Sequence, residues 1–492
     1  MGSYDLVKRV LVAGMISAGT LFVILGLSYG ESRAVVLGIF CIAWVIIALR
    51  AHLFSASVLM LITSIPFNIT YTIPYLLDNA YVNGIFVNYL APSLSIIDLF
   101  AVLTVFTFLL TGNIKKEQKL LLSVLTGYLV FHTILFHDLT VIIQSFRWLA
   151  YITSSMAIFA WLRTDVGGQK ISVGQSINKI YSIIKILLLL STTQLILGIF
   201  QLIGGTSIGL GFIGESIVAA GRADSSSIAL KGDLYLRAYG TFPHPNLYAG
   251  YAVFCIILSV GFIETISQTK WMSKFRQYFV SIALIITSIL AVLISFSHAG
   301  YLVLLISCFV VVIGLFLRKR VSQKHKFSNA SLMQLSTISP SLNTSDIDMK
   351  IPFLAKDRSI YERILLIESS IRYLGDHYLL GVGNGNFTKY FYEYAPVGIS
   401  GLTMLQPVHN IFILIFVEHG IFFGGLLTLL FLGYMLISAI RTRLSLVYIL
   451  VIVTILFIGN VDHYFLTLSQ GLMVFFMILG LPYLYLWSSE EL

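Results

Sequence analysis

The sequence predicts an all-α, polytopic integral membrane helix bundle with about 12–14 transmembrane helices and a large extracytoplasmic loop carrying an amphipathic helix. Three observations predict it. Of 492 residues, 58% are hydrophobic and only 11% charged, and the mean hydropathy is +0.91, more apolar surface than a water-soluble core can use. Uncharged stretches of about 20 residues recur along the chain, each long enough to cross roughly 30 Å of hydrocarbon as a helix. Lysines and arginines gather in short segments between them, as cytoplasmic loops require.

Taken in order, the apolar runs place spans near 10–29, 34–49, 53–73, 93–112, 119–136, 139–161, 180–203, 246–264, 278–297, 299–317, 420–440, 444–461 and 464–487. The first lacks a small-residue cleavage site and runs straight into the second, so it reads as a retained span rather than a signal peptide. Basic clusters at Lys8/Arg9, Arg50, Lys115/Lys116/Lys119, Arg163/Lys170/Lys179, Lys270/Lys274/Arg276, Arg318/Lys319/Arg320 and Arg441/Arg443 mark the cytoplasmic side. Segments 74–92 and 204–245, and the pair Asp462/His463, then fall outside. One conflict of parity follows: the chain must cross once more between 320 and 406, yet 321–355 holds no lipid-compatible run. The Ser/Thr/Asn-rich stretch 328–345 reads as a disordered linker. The organisation expected is an N-terminal bundle over 1–203, an outer loop over 204–245, helices over 246–317, a linker and large outer loop over 318–407, and terminal helices over 408–492.

Several classes are excluded by charge and cysteine usage. The net charge of +9 comes from loop residues that orient the spans, so no nucleic-acid partner is expected. Cys41, Cys255 and Cys308 sit inside apolar runs, where they behave as small hydrophobes and build neither a disulfide framework nor a zinc cluster.

Two outer regions carry candidate chemistry. The first ends RAYGTFPHPNLYAGY, where prolines 243 and 245 force extended backbone and Asn246 stands where a helix N-cap is expected. A helix N-terminus beside Arg237 suits a phosphate group; the alternative is a plain turn and cap. The second, 359–387, opens with a capping box at Ser359/Glu362 and then repeats Ile360, Ile364, Ile367, Ile371 and Leu374 at helical spacing. Its other face carries Glu362, Arg363, Glu368 and Arg372, and the helix should lie along the interface or cap the bundle. The GVGNGN segment that follows neither trails a strand nor matches GxGxxG, and reads as a tight turn. Within the spans, Asp98, Arg147 and His298 are either functional or polar packing contacts. In QPVHNIFILIFVEHG, nine residues separate His409 from Glu418, which on a continuous helix puts them about 180° apart, so Glu418 reads as structural.

Four ordered blocks, RAYGTFPHPNLYAGY, SFSHAGYL, SIYER…YLLGVGNGNF and HNIFILIFVEHG, together resemble the O-antigen ligase and polymerase superfamily of bacterial envelope glycosyltransferases. The closing VDHYFLTLSQGLMVFFMILGL is also similar to that family's last spans. The likeness covers 237 to the end; residues 1–203 match only as a bundle of spans. His298 stands where the family has an arginine. The resemblance implies a multi-pass protein of the bacterial cytoplasmic membrane, with its active site on the extracytoplasmic face. It implies transfer of a glycan from undecaprenyl diphosphate to a hydroxyl of a lipid, glycan or protein acceptor, without cofactor, nucleotide sugar or metal. Carried onto this chain, His409 is the general base, attack inverts C1, Arg237 and Arg363 hold the diphosphate, and His244, Asn246 and Asn410 bind substrate. Polymerisation of repeat units is the alternative within the family, and a lipid-linked sugar flippase the alternative outside it. Against a flippase stand the absence of an internal repeat and the placement of the informative residues in outer loops.

Overall fold

The uncharged runs fold as helices because, in hydrocarbon, a helix satisfies its own backbone hydrogen bonds. The computed structural model describes residues 2–29, 31–110, 116–164, 169–222, 225–267, 274–324, 358–394, 405–442 and 445–485. In chain order the helices are α1 (Gly2–Tyr29), α2 (Ser32–Arg50), α3 (Leu53–Ser64), α4 (Ile96–Leu110), α5 (Lys116–Phe136), α6 (Leu139–Arg163), α7 (Val173–Gly204), α8 (Pro245–Ser267), α9 (Lys274–Ile294) and α10 (His298–Lys324). After them come α11 (Arg358–His377), α12 (Phe387–Tyr394), α13 (Ile411–Thr442), α14 (Leu446–Val461), α15 (Tyr464–Thr467) and α16 (Ser469–Tyr485). Among the described residues, seven helices are long and apolar enough to cross a membrane: α1, α2, α5, α7, α8, α9 and α13. Five shorter apolar helices (α3, α4, α10, α14 and α16) complete the set. The protein is a polytopic all-α membrane protein.

Helix α8 is the axis of the bundle. It packs against α7, α9, α10, α14 and α16, and 78% of its apolar window is buried, against 11% for α1. Since lipid is as apolar as leucine, the outer helices leave large side chains such as Leu27, Leu189 and Phe275 exposed without penalty.

Three expected spans come out differently. The run 53–73 leaves its helix at Ser64, with Ile65 still in helical geometry and Pro66 following, and Thr70–Thr72 pairs instead with Ser93–Ser95 as a two-stranded ribbon. The run 420–440 starts nine residues earlier, at Ile411, with a break at Gly420 (φ 68°, ψ 176°). The last run is split at Leu468 into α15 and α16. The parity question over 321–355 and the linker at 328–345 fall mostly outside the described residues, which resume at α11.

The buried ion pair within the bundle is closed on itself. Arg147 donates through Nε to both Asp98 oxygens at 3.1 and 3.3 Å, and a guanidinium nitrogen also donates to the Ser93 carbonyl; Tyr151 Oη donates to Asp98 at 2.6 Å. Its bonds tie the Ser93–Ser95 strand to α4 and α6.

Candidate functional site

At the end of α7 the chain enters a loop whose shape is set by two glutamines. Gln201 Oε1 accepts the Tyr239 and Gly240 amides at 3.0 and 2.8 Å, and Gln194 Oε1 accepts the Thr241 amide at 2.8 Å. Gly240 is required: its φ is +59°, and a Cβ there would sit 2.4 Å from Gln194 Oε1. Glu215 organises the rest of the loop by accepting from Gln201, Ile208 and Leu210. These bonds deliver Arg237 to the C-terminal end of α9, where its Nε donates to the Ser295 carbonyl at 2.8 Å. A cation is favoured there, since helix C-termini carry partial negative charge.

At HPN the structure corrects the expected cap. Helix α8 begins at Pro245, and His244 caps it: its Nδ1 accepts the Asn246 amide at 3.2 Å. Asn246 lies in the first turn, and both ends of its side chain are used. Oδ1 accepts from Arg237 at 2.6 Å, while Nδ2 donates to Asp462 Oδ2 at 2.6 Å. A chain Arg237–Asn246–Asp462 therefore links this loop to the end of α14. With Nδ1 of His244 acting as acceptor, its proton sits on Nε2, which lies 3.4 Å from Ser226 Oγ.

His409 arrives from the segment before α13, and its ring packs edge to face on His463, centroids 4.8 Å apart. Asn410, expected to bind substrate, caps α13: its Oδ1 accepts the Phe412 and Ile413 amides at 3.0 Å, and its Nδ2 donates to Asn460 at 3.0 Å. Asp462 and His463 follow the end of α14 and are buried at 4% exposure each. Asp462 Oδ1 accepts the His463 amide at 2.8 Å, and Tyr89 packs its ring on His463 at 5.5 Å. No role was read for these three residues from sequence; the signal was an Asp–His pair directly after an uncharged run.

Helix α11 brings Arg363, and of its periodic apolar residues Ile367 and Leu374 pack against the core. Leu365, Leu366, Ser369, Ser370 and Tyr373 face the protein, while Ile364 and Ile371 are exposed at 49% and 62%. Arg363 shares the inward side with Leu366 and Ser370, and its Nε is buried with no partner. The Glu368–Arg372 pair closes on itself at 2.6 Å on the outer face. The side chain of Ser359, the first half of the expected capping box, lies outside the described residues. The GVGNGNF segment is a turn, held by Glu418, whose carboxylate accepts the Gly385 and Phe387 amides. Backbones touch here: a Cβ on Gly420 would lie 2.2 Å from the Leu379 carbonyl oxygen. Glu418 thus supports the α11–α13 junction, away from His409. His419 faces Tyr128 of α5, and His298 is exposed at the start of α10. In the SFSH block it is the Ser295 carbonyl that meets Arg237.

Charge is shared across this cluster. Burial tends to raise the Asp462 pKa, but His463, His409, His244 and the Asn246 amide outweigh it and hold the carboxyl at about 2. Burial pushes His463 down to about 3 and His244 to about 4. His409 is lowered by burial too, with Asp462 opposing the shift and Arg363 adding to it. At neutral pH the cluster therefore holds one carboxylate and three neutral imidazoles. Arg237 is lowered by burial, as expected of a cation kept from water, and it also feels Arg363. Arg237 and Arg363 thus bring two positive charges within electrostatic reach of each other.

Against this geometry, residues 283–429 match the family model described as O-antigen ligase. That stretch is O-antigen ligase-like. The superfamily assignment rests on that stretch, which runs from within α9 to within α13 and contains Arg363 and His409. Arg237, His244, Asn246, Asp462 and His463 lie outside it and join the O-antigen ligase segment only in the fold. No curated protein matches the chain. An O-antigen ligase-like stretch in a bundle of apolar helices supports a membrane glycosyltransferase-like function in a multi-pass bacterial membrane protein.

Proposed function

We propose that the protein transfers a glycan from an undecaprenyl-diphosphate-linked donor to a hydroxyl acceptor with inversion at C1. The observation that carries the reading is the convergence of Arg237, Arg363, His244, His409 and Asp462 from separate parts of the chain onto one mutually interacting cluster. His409 takes the acceptor's hydroxyl proton, the freed oxygen forms its bond to C1, and the bond from C1 to the diphosphate oxygen breaks. A base with a depressed pKa is unprotonated and ready at neutral pH. Arg237 and Arg363 receive the leaving diphosphate, because a planar guanidinium pairs with phosphate oxygens in bidentate fashion and keeps its charge. Asp462 stabilises the imidazolium that forms on His409.

The face follows from charge. Helices α7, α9 and α13 each carry basic residues at the end opposite the cluster: Lys179, Lys274 with Arg276, and Arg441 respectively. Positive residues stay in the cytoplasm, so the cluster belongs on the extracytoplasmic side, where lipid-linked glycans are consumed.

The test supplies purified protein in liposomes with a lipid diphosphate glycan and candidate acceptors, and resolves the products on a gel. Release of glycan with one discrete conjugate identifies a ligase, and a ladder identifies a polymerase. A flippase would move the donor and leave the C1 bond intact. His409→Ala should abolish transfer while the protein keeps its thermal stability, and full activity of that variant removes His409 as base.

A further inference from the structure

The three side chains at the centre of the cluster have a second chemistry. His409, Asp462 and His463 each offer a ligand atom, and these atoms all lie within 4.8 Å of one another. Hydrogen bonding engages one nitrogen of His463. Thr467 Oγ1 lies 2.7 Å from Nδ1 and 3.2 Å from the His463 carbonyl oxygen, so in the tautomer with its proton on Nδ1 the ring donates to Thr467 while Thr467 donates to that carbonyl. That leaves the lone pair on Nε2, with the other nitrogen held by an oxygen in the way that outer partners orient metal-ligating histidines. His409 Nδ1 is buried and has no hydrogen-bond partner. The Asp462 carboxylate is held in place by Asn246 and the His463 amide, and each oxygen retains accepting capacity.

Two imidazoles and a carboxylate form the donor set of zinc and its neighbours, whereas magnesium and calcium prefer oxygen alone. Three protein ligands leave further coordination positions for water or an anion. Arg237 and Arg363 oppose a dication in the empty cluster, but they also draw in the anion that would complete its coordination.

We propose that His409, Asp462 and His463 form an inhibitory site for a borderline divalent transition-metal ion such as Zn2+, which ties up the histidine required for transfer. The inference deepens the proposed function by adding its regulation. Inhibition rests on His409 being the base, whereas binding does not.

The experiment uses the full-length protein in detergent, stripped with EDTA and titrated with Co2+, whose visible absorption reports coordination by nitrogen and oxygen. The expected result is a saturable spectrum that Zn2+ displaces and Mg2+ does not. It should be absent in His463→Ala and His409→Ala. Thr467→Val, which loses only the orienting oxygen, should bind about 10- to 100-fold more weakly. In liposomes, Zn2+ should stop glycan transfer and EDTA should restore it. Equal Co2+ titrations of the wild type and His463→Ala overturn the site. Full-rate transfer by the Zn2+-loaded protein overturns the inhibition. If the metal-free protein transfers no glycan while the Co2+ titration behaves as expected, the proposed function fails and the site stands.

Discussion

Replacing Asp462 by Asn keeps the shape of the side chain and removes its charge, which isolates what the carboxylate does for His409. Transfer of a proton to His409 creates an imidazolium whose ligand atom lies no more than 4.8 Å from that of Asp462. With an effective dielectric of about 20, a full charge pair at that distance is worth about 3.5 kcal/mol. At 1.36 kcal/mol per decade, that is about 350-fold in rate for a fully formed imidazolium and about 20-fold for one half formed. The kcat of Asp462→Asn should fall within these bounds. The pH profile supplies the second readout. Asp462 works to raise the His409 pKa against burial, so without it the base titrates lower still and the acid limb of the rate profile moves to lower pH even as the plateau drops. The assay is the initial rate of transfer from a lipid diphosphate glycan across pH, with thermal unfolding in detergent as the check on folding. A variant within about threefold of wild type whose acid limb has not moved would refute the electrostatic role, since the Coulomb magnitude then has no counterpart in the rate.

Other consequences are equally direct. Arg237→Lys and Arg363→Lys should each raise the donor KM and lower kcat/KM by about 1.5–3 kcal/mol, the range of a charged hydrogen bond; a lysine cannot hold the Ser295 carbonyl, Asn246 and a phosphate together. Unchanged steady-state kinetics in both would remove them from the donor site. Gly420→Ala should lower the thermal unfolding temperature sharply, because φ 68°, ψ 176° is a conformation kept for glycine and the new methyl meets the Leu379 carbonyl oxygen at 2.2 Å. Wild-type stability in that variant would deny the backbone contact. Acid should weaken the fold near the site. His244 and His463 are depressed in the folded protein, so the unfolded chain binds more protons as pH falls below the ordinary value of about 6.5. Their stabilisation is complete above that value and declines as pH drops towards about 4 and about 3 respectively. The loss is about 2 kcal/mol each by about pH 5, and unfolding curves that coincide at pH 8 and pH 5 would contradict it. Asp462, at about 2, contributes no slope across that range.

The sequence by itself determined that this chain is a membrane helix bundle, because only helices satisfy their backbone in lipid and the length of each uncharged run is dictated by the bilayer. It also carries an expectation of which ends face the cytoplasm, through lysines and arginines gathered between the spans. Four short blocks pointed to Arg237, Arg363 and His409, and helical phase kept Glu418 apart from His409. The tertiary structure decided how the polar groups divide their bonds, which no local pattern encodes. The bonds of Asn246 show it bridging Arg237 to Asp462 from the first turn of α8, and those of Asn410 show it capping α13. The fully buried residues of α11 include Leu365, Leu366 and Tyr373, with Ile367 and Leu374 partly buried and Ile364 and Ile371 exposed, because a helix between protein and lipid has two apolar sides and periodicity does not say which faces inward. Asp462 lies 53 residues beyond His409 in the chain and a few ångströms away in space. Only the packing of α14 against α8 and α13 makes that carboxylate part of the base's electrostatic surroundings.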